Sequence, residues 1–316
     1  MRKLQFPKLA LGTWSWGSGW RGGDVIFGNH LELEDLRPVF DRAMDAGLNL
    51  WDTAAAYGNG ASESIVGNLI QGQPREELMI STKFTPQIAD ASAENPVLAM
   101  YQASCKRIGT DYFDVYWIHN AAGAPKWTQM LSEAADQMNV GCFGVSNHDL
   151  AGVKEANEIL KSKGLKLGAV QNHYSLLDRL SETTGILDYC KENDIQFFAY
   201  MVLEQGALGG KYGTKHPFPP ESDRGKTYNP VLDKIDILVE EISRVAANHN
   251  ASPAQMPIAW AIAKGTLPII GATKPEQIDD AVKATQIVLT EDEMRQLEKA
   301  AQQAELRTVR AWEAVK

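Results

Sequence analysis

Four residues of this 316-residue chain have side chains suited to placing a proton on a carbonyl oxygen: Asp52, Tyr57, Lys83 and His119. A free phenol titrates near ~10, too high to release its proton efficiently at neutral pH. An ammonium group beside it stabilises the phenolate and draws that pKa down. The residue types therefore predict that Lys83 activates Tyr57, that Asp52 holds Lys83 and balances its charge, and that His119 donates a hydrogen bond orienting the carbonyl. No protein nucleophile is needed if a cofactor delivers hydride. Taken singly, three of the four have ordinary structural readings: an aspartate caps a loop, a tyrosine packs by its ring, a histidine is satisfied in the core. Lys83 is harder to explain that way, because a lysine ending an apolar strand needs a partner to offset its desolvation.

The elements that must position these residues are legible as short apolar runs, each followed by a longer amphipathic stretch. Candidate strands cover residues 9–13, 48–51, 79–83, 113–118, 141–145, 167–171, 196–200 and 267–271. Helical patterns lie between them at 36–46, 63–70, 96–108, 129–138, 150–163 and 186–193. Eight such units predict an α/β chain whose parallel sheet closes into a (β/α)8 TIM barrel, one domain over residues 1–316. In that fold the working groups stand at the carboxyl ends of strands, so Asp52, Lys83 and His119 leave three neighbouring strands on one face. About 70 residues separate the seventh strand from the eighth. The excess, residues 209–230, is rich in Gly, Pro and charge and is expected to lie on the catalytic face. Residues 204–228 are expected to be mobile without cofactor and to close over it when bound. Helices follow at 231–248 and from Pro253, and an extra carboxyl-terminal helix at 291–304 carries Thr290 as cap and Glu293 to complete a capping box.

Composition narrows the function. A formal charge of −9 disfavours nucleic acid, whose binding rests on neutralising phosphates. Cys105, Cys142 and Cys190 form no paired framework and are expected as reduced thiols. The apolar stretch near the amino terminus is too short for a signal peptide, and no run reaches the roughly 20 residues of a membrane span, so a cytoplasmic location with no membrane partner is expected. The six histidines, His30, His119, His148, His173, His216 and His249, show no HxH or HExxH spacing, so no metal site is expected.

The stretch Asp52-Thr53-Ala54-Ala55-Ala56-Tyr57-Gly58, followed by Gly60, Ser62-Glu63 and Gly67, resembles the catalytic signature of the aldo-keto reductase superfamily. Lys83 and His119 fall where that family has its lysine and histidine. Gly144-Val145-Ser146-Asn147-His148 and the run from Val170 to Arg179 extend the resemblance, the latter to the branch of bacterial reductases and potassium-channel β subunits. The resemblance implies the tetrad Asp52, Tyr57, Lys83 and His119, an NADPH cofactor in preference to NADH, and a small-molecule aldehyde or ketone as substrate. It implies that Ser146, Asn147 and Gln171 hold the nicotinamide carboxamide and that Tyr200 stacks on its ring. Leu203, Gln205 and Gly206 would wrap the pyrophosphate with Lys211 nearby. The adenosine end would fall on Gly271, Thr273, Lys274, Gln277 and Asp280, with Lys274 charging the 2′-phosphate site. Two departures from the family are plain: Met201-Val202-Leu203 replaces its Ser-Pro-Leu, and an arginine near Thr273 and an asparagine at Ala281 are missing.

Trp14, Trp16 and Trp20 after the first strand, with Phe84 and Trp127 after the third and fourth, are candidates to line an aromatic substrate pocket. The sequence leaves the carbonyl substrate, the direction of reaction and the oligomeric state open. It also leaves open a barrel lyase using Lys83 as a Schiff base and a cofactor-sensing interaction subunit.

Overall fold

Branched and aromatic side chains recurring in runs of three to seven residues favour extended backbone, and runs buried on both faces read as continuously apolar. Such runs build the barrel. The computed structural model describes residues 4–306, so residues 1–3 and 307–316 of the expected single domain lie outside the described residues. Eight parallel strands close in sequence order: β1 (Ala10–Gly12), β2 (Leu50–Asp52), β3 (Met79–Phe84), β4 (Phe113–Ile118), β5 (Val140–Ser146), β6 (Leu167–His173), β7 (Gln196–Tyr200) and β8 (Leu267–Gly271). β1 pairs with both β2 and β8, which closes the sheet and completes the predicted (β/α)8 architecture.

The lower lumen is a packed plug rather than a channel. Ala10, Leu50, Val115, Trp117, Ala169, Phe198 and Leu267 meet there, with Trp117 edge-on to Phe198 at 5.1 Å. Gly144 is obligatory at this level, since a Cβ would stand 2.3 Å from the Trp117 ring. With the lumen filled below, only the carboxyl ends of the strands are available for a site.

Expected boundaries shift where polar residues take part in the ladder. β6 runs on to His173, paired with Tyr200 of β7, although Asn172 and His173 carry no strand-like pattern. The helix expected at 129–138 is Ala124–Ala134, started by left-handed Gly123 and by Pro125 in its first turn. The carboxyl-terminal helix Glu291–Gln303 has its predicted capping box, with the Thr290 amide 2.9 Å from Glu293 and the Glu293 amide 3.2 Å from the Thr290 hydroxyl.

The long connection after β7 is more ordered than its composition suggests. It contains the helix Asp223–Tyr228, capped by Ser222. It also has its own small core, in which Ala207, Phe218 and Tyr228 pack on Leu232 and Ile235 of the helix Leu232–Asn248. Tyr212 stacks on Phe218 at 4.0 Å. Three aromatics spaced along a Gly/Pro-rich stretch were the sequence signal for that core.

Candidate active site

Alternation along a strand sends successive side chains to opposite faces. On β3 this turns Ser81 and Lys83 into the barrel and Ile80, Thr82 and Phe84 toward the helices. Asp52 at the end of β2 is in register with Ser81 and accepts its hydroxyl. Lys83 Nζ lies 2.6 Å from Asp52 Oδ2 and donates to the Thr53 carbonyl at 2.8 Å, with no solvent exposure at all. Gln171 Nε2 reaches the other Asp52 oxygen at 3.2 Å. Burial draws the Lys83 pKa below the ordinary lysine value, against the opposing pull of the Asp52 carboxylate and a smaller one from Glu63.

Tyr57 enters from the tight turn Tyr57–Gly60, in which Gly58, Asn59 and Gly60 all have positive φ. Gly58 is required twice over, by φ 59° and because a Cβ would meet the Ser18 carbonyl at 2.8 Å. The turn is backed by buried Glu63, which accepts from Thr82 and from Arg107 at 2.5 Å each. The Tyr57 ring stacks on Trp14 (5.8 Å, 25° between planes) and meets His119 edge-on at 5.8 Å. Lys83 Nζ is 5.2 Å from its centroid.

The phenol itself does not behave as the residue types predict. Its pKa is raised well above 10, first by burial and then by the Asp52 carboxylate. The reason is geometric: the Lys83 ammonium is committed to Asp52 and Thr53, so the phenol sees a nearly neutral pair in a dry setting. His119 is held well below its ordinary value by desolvation, by Lys83 and by Arg21, and is therefore neutral at pH 7. Its Nδ1 lies 2.9 Å from the Thr85 hydroxyl.

One cavity of about 780 Å³ runs from these residues across the top of the barrel. Asp52, Tyr57 and His119 line it, while Lys83 stands behind them. Ser146, Asn147, Gln171 and Tyr200 line its middle, and Asn147 bridges the Tyr200 hydroxyl (2.5 Å) and the His119 carbonyl (2.9 Å). Leu203, Gln205, Gly206 and Lys211 line the far wall. Gly271, Thr273, Lys274, Gln277 and Asp280 line the end beside the helix Pro275–Ala284. At that helix start Gln277 accepts from the Thr273 and Lys274 amides, at 2.7 and 3.1 Å.

Of the five aromatics expected around the substrate, Trp14 and Trp20 line the cavity and three do not. Trp16 is buried against Trp51 and donates to the Ala272 carbonyl at 2.8 Å. Phe84 is on the helix-facing side of β3, and Trp127 packs on Phe84 at 5.0 Å while donating to the Ala122 carbonyl. For Phe84 a one-residue step along β3 exchanges pocket for core, while Trp16 and Trp127, on the loop after β1 and the helix Ala124–Ala134, are turned inward by their own hydrogen bonds to Ala272 and Ala122.

Sequence reasoning missed Arg21, Phe27, Tyr212 and Arg224, all of which line the cavity. Arg224 belongs to the helix inside the long connection. Its guanidinium lies over the Phe27, Tyr212 and Phe218 rings at 5.2–5.8 Å, and its Nε is buried without a hydrogen-bond partner. Also missed was buried Glu204, which accepts from Ser175 (2.5 Å) and Tyr228 (2.6 Å) and lies 2.7 Å from His173 Nε2. His173, together with these donors, holds the Glu204 carboxyl down at about 2 despite burial. The His173 ring in turn stacks under Tyr200 at 5.6 Å.

Among the described residues no cluster of three or more His, Cys, Asp or Glu side chains is arranged to hold a metal, and no helix is long and apolar enough to cross a membrane.

Residues 8–302 match the family model described as the aldo/keto reductase family. The chain is 30% identical to the chloroplastic pyridoxal reductase of Arabidopsis thaliana, covering 96% of this chain and 86% of that protein. It is 27% identical to an aldo-keto reductase of Schizosaccharomyces pombe whose name specifies NADP(+), covering 92% and 89%. Among solved structures it is similar to the thermostable aldo-keto reductase Tm1743 in complex with the inhibitor epalrestat, with a TM-score of 0.75 and 27% identity over 95% of this chain and 97% of that one. The match over nearly the whole length, on a closed eight-stranded barrel with Asp52, Tyr57, Lys83 and His119 at its mouth, means that this chain belongs to the aldo/keto reductase family of oxidoreductases.

Proposed function

We propose that this protein reduces an aldehyde or ketone to an alcohol with NADPH, Tyr57 delivering the proton. The observation that carries this reading is the buried Asp52–Lys83 pair directly behind Tyr57, with a neutral His119 at the same end of the cavity. When bound, the reduced nicotinamide supplies the hydride that the carbonyl carbon accepts.

The cavity suits that cofactor. The buried, unpartnered Nε of Arg224 is a donor in need of an anion, and Lys211 adds a second positive charge on the same wall. These two would hold the pyrophosphate. Lys274, at the start of the helix Pro275–Ala284, would meet a 2′-phosphate where the helix end favours negative charge. Asn147 and Gln171 carry amides at the height of Asp52 and His119, where the carboxamide would bind, and Tyr200 would stack on the ring.

At the reacting end we assign the Thr85 hydroxyl as donor to His119 Nδ1, which leaves the proton on Nε2 to face the carbonyl oxygen. A neutral imidazole polarises the carbonyl without competing to protonate it. Tyr57, raised in pKa by burial and by the Asp52 carboxylate, becomes a competent donor as negative charge builds on the oxygen beside it. Lys83 keeps the surroundings from favouring the phenol too strongly, since removing it would leave Tyr57 facing the bare Asp52 carboxylate. The Schiff-base alternative is disfavoured because Lys83 is fully enclosed and does not line the cavity.

The test is loss of NADPH absorbance over a panel of aldehydes and ketones that includes pyridoxal, with NADH in parallel. Turnover with wild type and its loss in Tyr57→Phe support the reading. Tight cofactor binding with no turnover on any carbonyl would replace it with a cofactor-sensing role.

A further inference from the structure

The turn that presents Tyr57 has little to hold its shape from within. Gly58, Asn59 and Gly60 follow one another with φ values of 59, 54 and 92°, a run of left-handed backbone that local propensity does not favour. Inside it the Tyr57 and Asn59 amides bond back to the Ala54 and Ala56 carbonyls at 3.0 and 3.2 Å. The Tyr57 ring meets Trp14 and His119 by contacts with centroids 5.8 Å apart. Ring contacts leave a phenol oxygen room to shift, so its position depends on what fixes the backbone of the turn.

The hold comes from outside the cavity. The turn runs directly into the helix Ala61–Leu69, whose first turn carries Glu63. Glu63 is fully buried, and one of its carboxylate oxygens accepts at 2.5 Å from Thr82, the residue before Lys83 on the outward face of β3. The other accepts at 2.5 Å from Arg107 Nε. Arg107 belongs to the neighbouring helix Pro96–Ile108, where its Nη2 donates to the Ser104 hydroxyl at 3.2 Å. Its side chain lies across Gly60, where a Cβ would stand 2.7 Å from Arg107 Cδ and 2.8 Å from Nε. One arginine therefore packs on the end of the Tyr57 turn and neutralises the carboxylate that ties this turn to the strand of Lys83. Ser62 ties the same helix start to the Thr13 and Thr53 hydroxyls, at 2.8 and 3.1 Å, so loss of Glu63 loosens the turn without releasing it. A buried ion pair is weak evidence for stability, because well-packed apolar side chains of similar volume often do as well. What this pair adds is direction, two short bonds joining helix, strand and turn.

We propose that Glu63 and Arg107 are positioning residues for Tyr57, fixing its phenol relative to Lys83 and the carbonyl through the Gly60 turn. The proposal rests on the reading of Tyr57 as proton donor and extends it to two side chains that do not line the cavity. Misplacing a reacting group by about 1 Å costs on the order of 10²-fold in rate, so the loss belongs in kcat rather than in cofactor affinity.

The experiment introduces Glu63→Gln, which keeps the shape but removes the charge and one of the two acceptors, into the wild type and into Tyr57→Phe. Single-turnover reduction of 4-nitrobenzaldehyde by NADPH gives the rate, and fluorescence titration gives the NADPH Kd. Hydrogen–deuterium exchange is followed in peptides covering residues 57–60 and 79–84. Glu63→Gln is expected to lower the rate roughly 10- to 100-fold with the Kd unchanged. Exchange should quicken at residues 57–60 and stay as it was at 79–84. In Tyr57→Phe, which has no phenol to position, the same substitution should lower the residual rate by less than about twofold. Arg107→Met should repeat the loss and Arg107→Lys recover part of it; if Arg107→Met does not fold, Glu63→Gln decides. An equal fold loss in both backgrounds overturns the proposal, because Glu63 would then be acting on the fold at large. So does exchange that is unchanged at residues 57–60 or that rises equally in both peptides. Near-normal turnover in Tyr57→Phe, or none in any protein, is a failure of the proton-donor reading instead, and the exchange comparison then decides whether Glu63 holds the turn.

Discussion

Asp52, Lys83 and His119 are placed by strand ends that pair in register around the barrel, whereas Met201, Glu204, Gln205 and Gly206 follow β7 with φ values of 63, 48, 54 and 99°. On the strand side the backbone is relaxed and the side chains bear the strain, as a fully buried ion pair. On the loop side the backbone bears it, at about 1–3 kcal/mol for each of Met201, Glu204 and Gln205, the non-glycine residues held in the left-handed region. What offsets that strain is Glu204, which ties the start of the long connection to Ser175 and His173 after β6 and to Tyr228 at its other end. The lesson is that two halves of one cavity should fail differently: the first in chemistry, the second in binding and local order.

The sharpest way to break that contrast is at Tyr57. Tyr57→Phe should lower the rate of carbonyl reduction by roughly 10²–10⁴-fold while leaving cofactor affinity nearly intact. Near-normal turnover would remove the phenol from the chemistry, and a large change in cofactor Kd would mean the two halves are not separable.

Lys83→Met should lose both turnover and stability. It strands Asp52 as an uncompensated buried carboxylate, a change that typically costs about 3–5 kcal/mol. The double variant Asp52→Asn with Lys83→Met should recover much of the stability in denaturant titration and none of the activity. Recovery of both would show that the pair is only structural.

Glu204→Gln tests the loop side. Its carboxyl is held near 2, below the ordinary 4.5, so the stability it contributes is present above pH 4.5 and lost as pH falls toward 2. The variant should be less stable than the wild type at pH 7, and the gap should narrow on acidification through that window. Cofactor should bind more weakly, and limited proteolysis should cut residues 204–228 faster than in the wild type, since Glu204 ties that stretch to Ser175 and Tyr228. Unchanged cleavage and cofactor Kd would mean that the backbone holds itself there.

A smaller effect is expected at Lys274, which is exposed. A charge-assisted bond to a 2′-phosphate is worth about 1.5–3 kcal/mol at most, so Lys274→Ala should weaken NADPH roughly tenfold and scarcely alter NADH. Calorimetric titration of both cofactors checks it, and equal losses for the two would defeat the phosphate assignment.

The smallest signal is in the pH profile of kcat/KM. Because His119 is depressed well below 6.5 and Tyr57 raised well above 10, neither should titrate across neutral pH, and the profile should be flat there. An inflection near 6.5 that disappears in His119→Gln would show a solvated imidazole instead.

Much of this molecule was readable before its structure. β4, β7 and β8 begin and end where the apolar runs do, and the Thr290–Glu293 box closes the last helix as its spacing predicts. Those features depend on neighbours within a few residues, so local pattern suffices. The convergence of Asp52, Lys83 and His119 was equally legible, because strand ends after apolar runs are where a barrel exposes polar groups. His173 and Glu204 were not, since a histidine after a strand and a glutamate in a loop look ordinary until the fold sets them 2.7 Å apart.

The sequence by itself thus determined the barrel, the order of its strands and the identities of the four residues at its mouth, because periodicity and residue type are local properties. Only the tertiary structure decided the charges those residues carry and the company they keep. It turned Trp16, Phe84 and Trp127 into core while bringing Arg21 and Arg224 to the cavity from connections on opposite ends of the chain. It also reversed the expected direction of the Tyr57 pKa, because burial and the bond that Lys83 makes to Asp52 exist only once residues 31 positions apart are packed together.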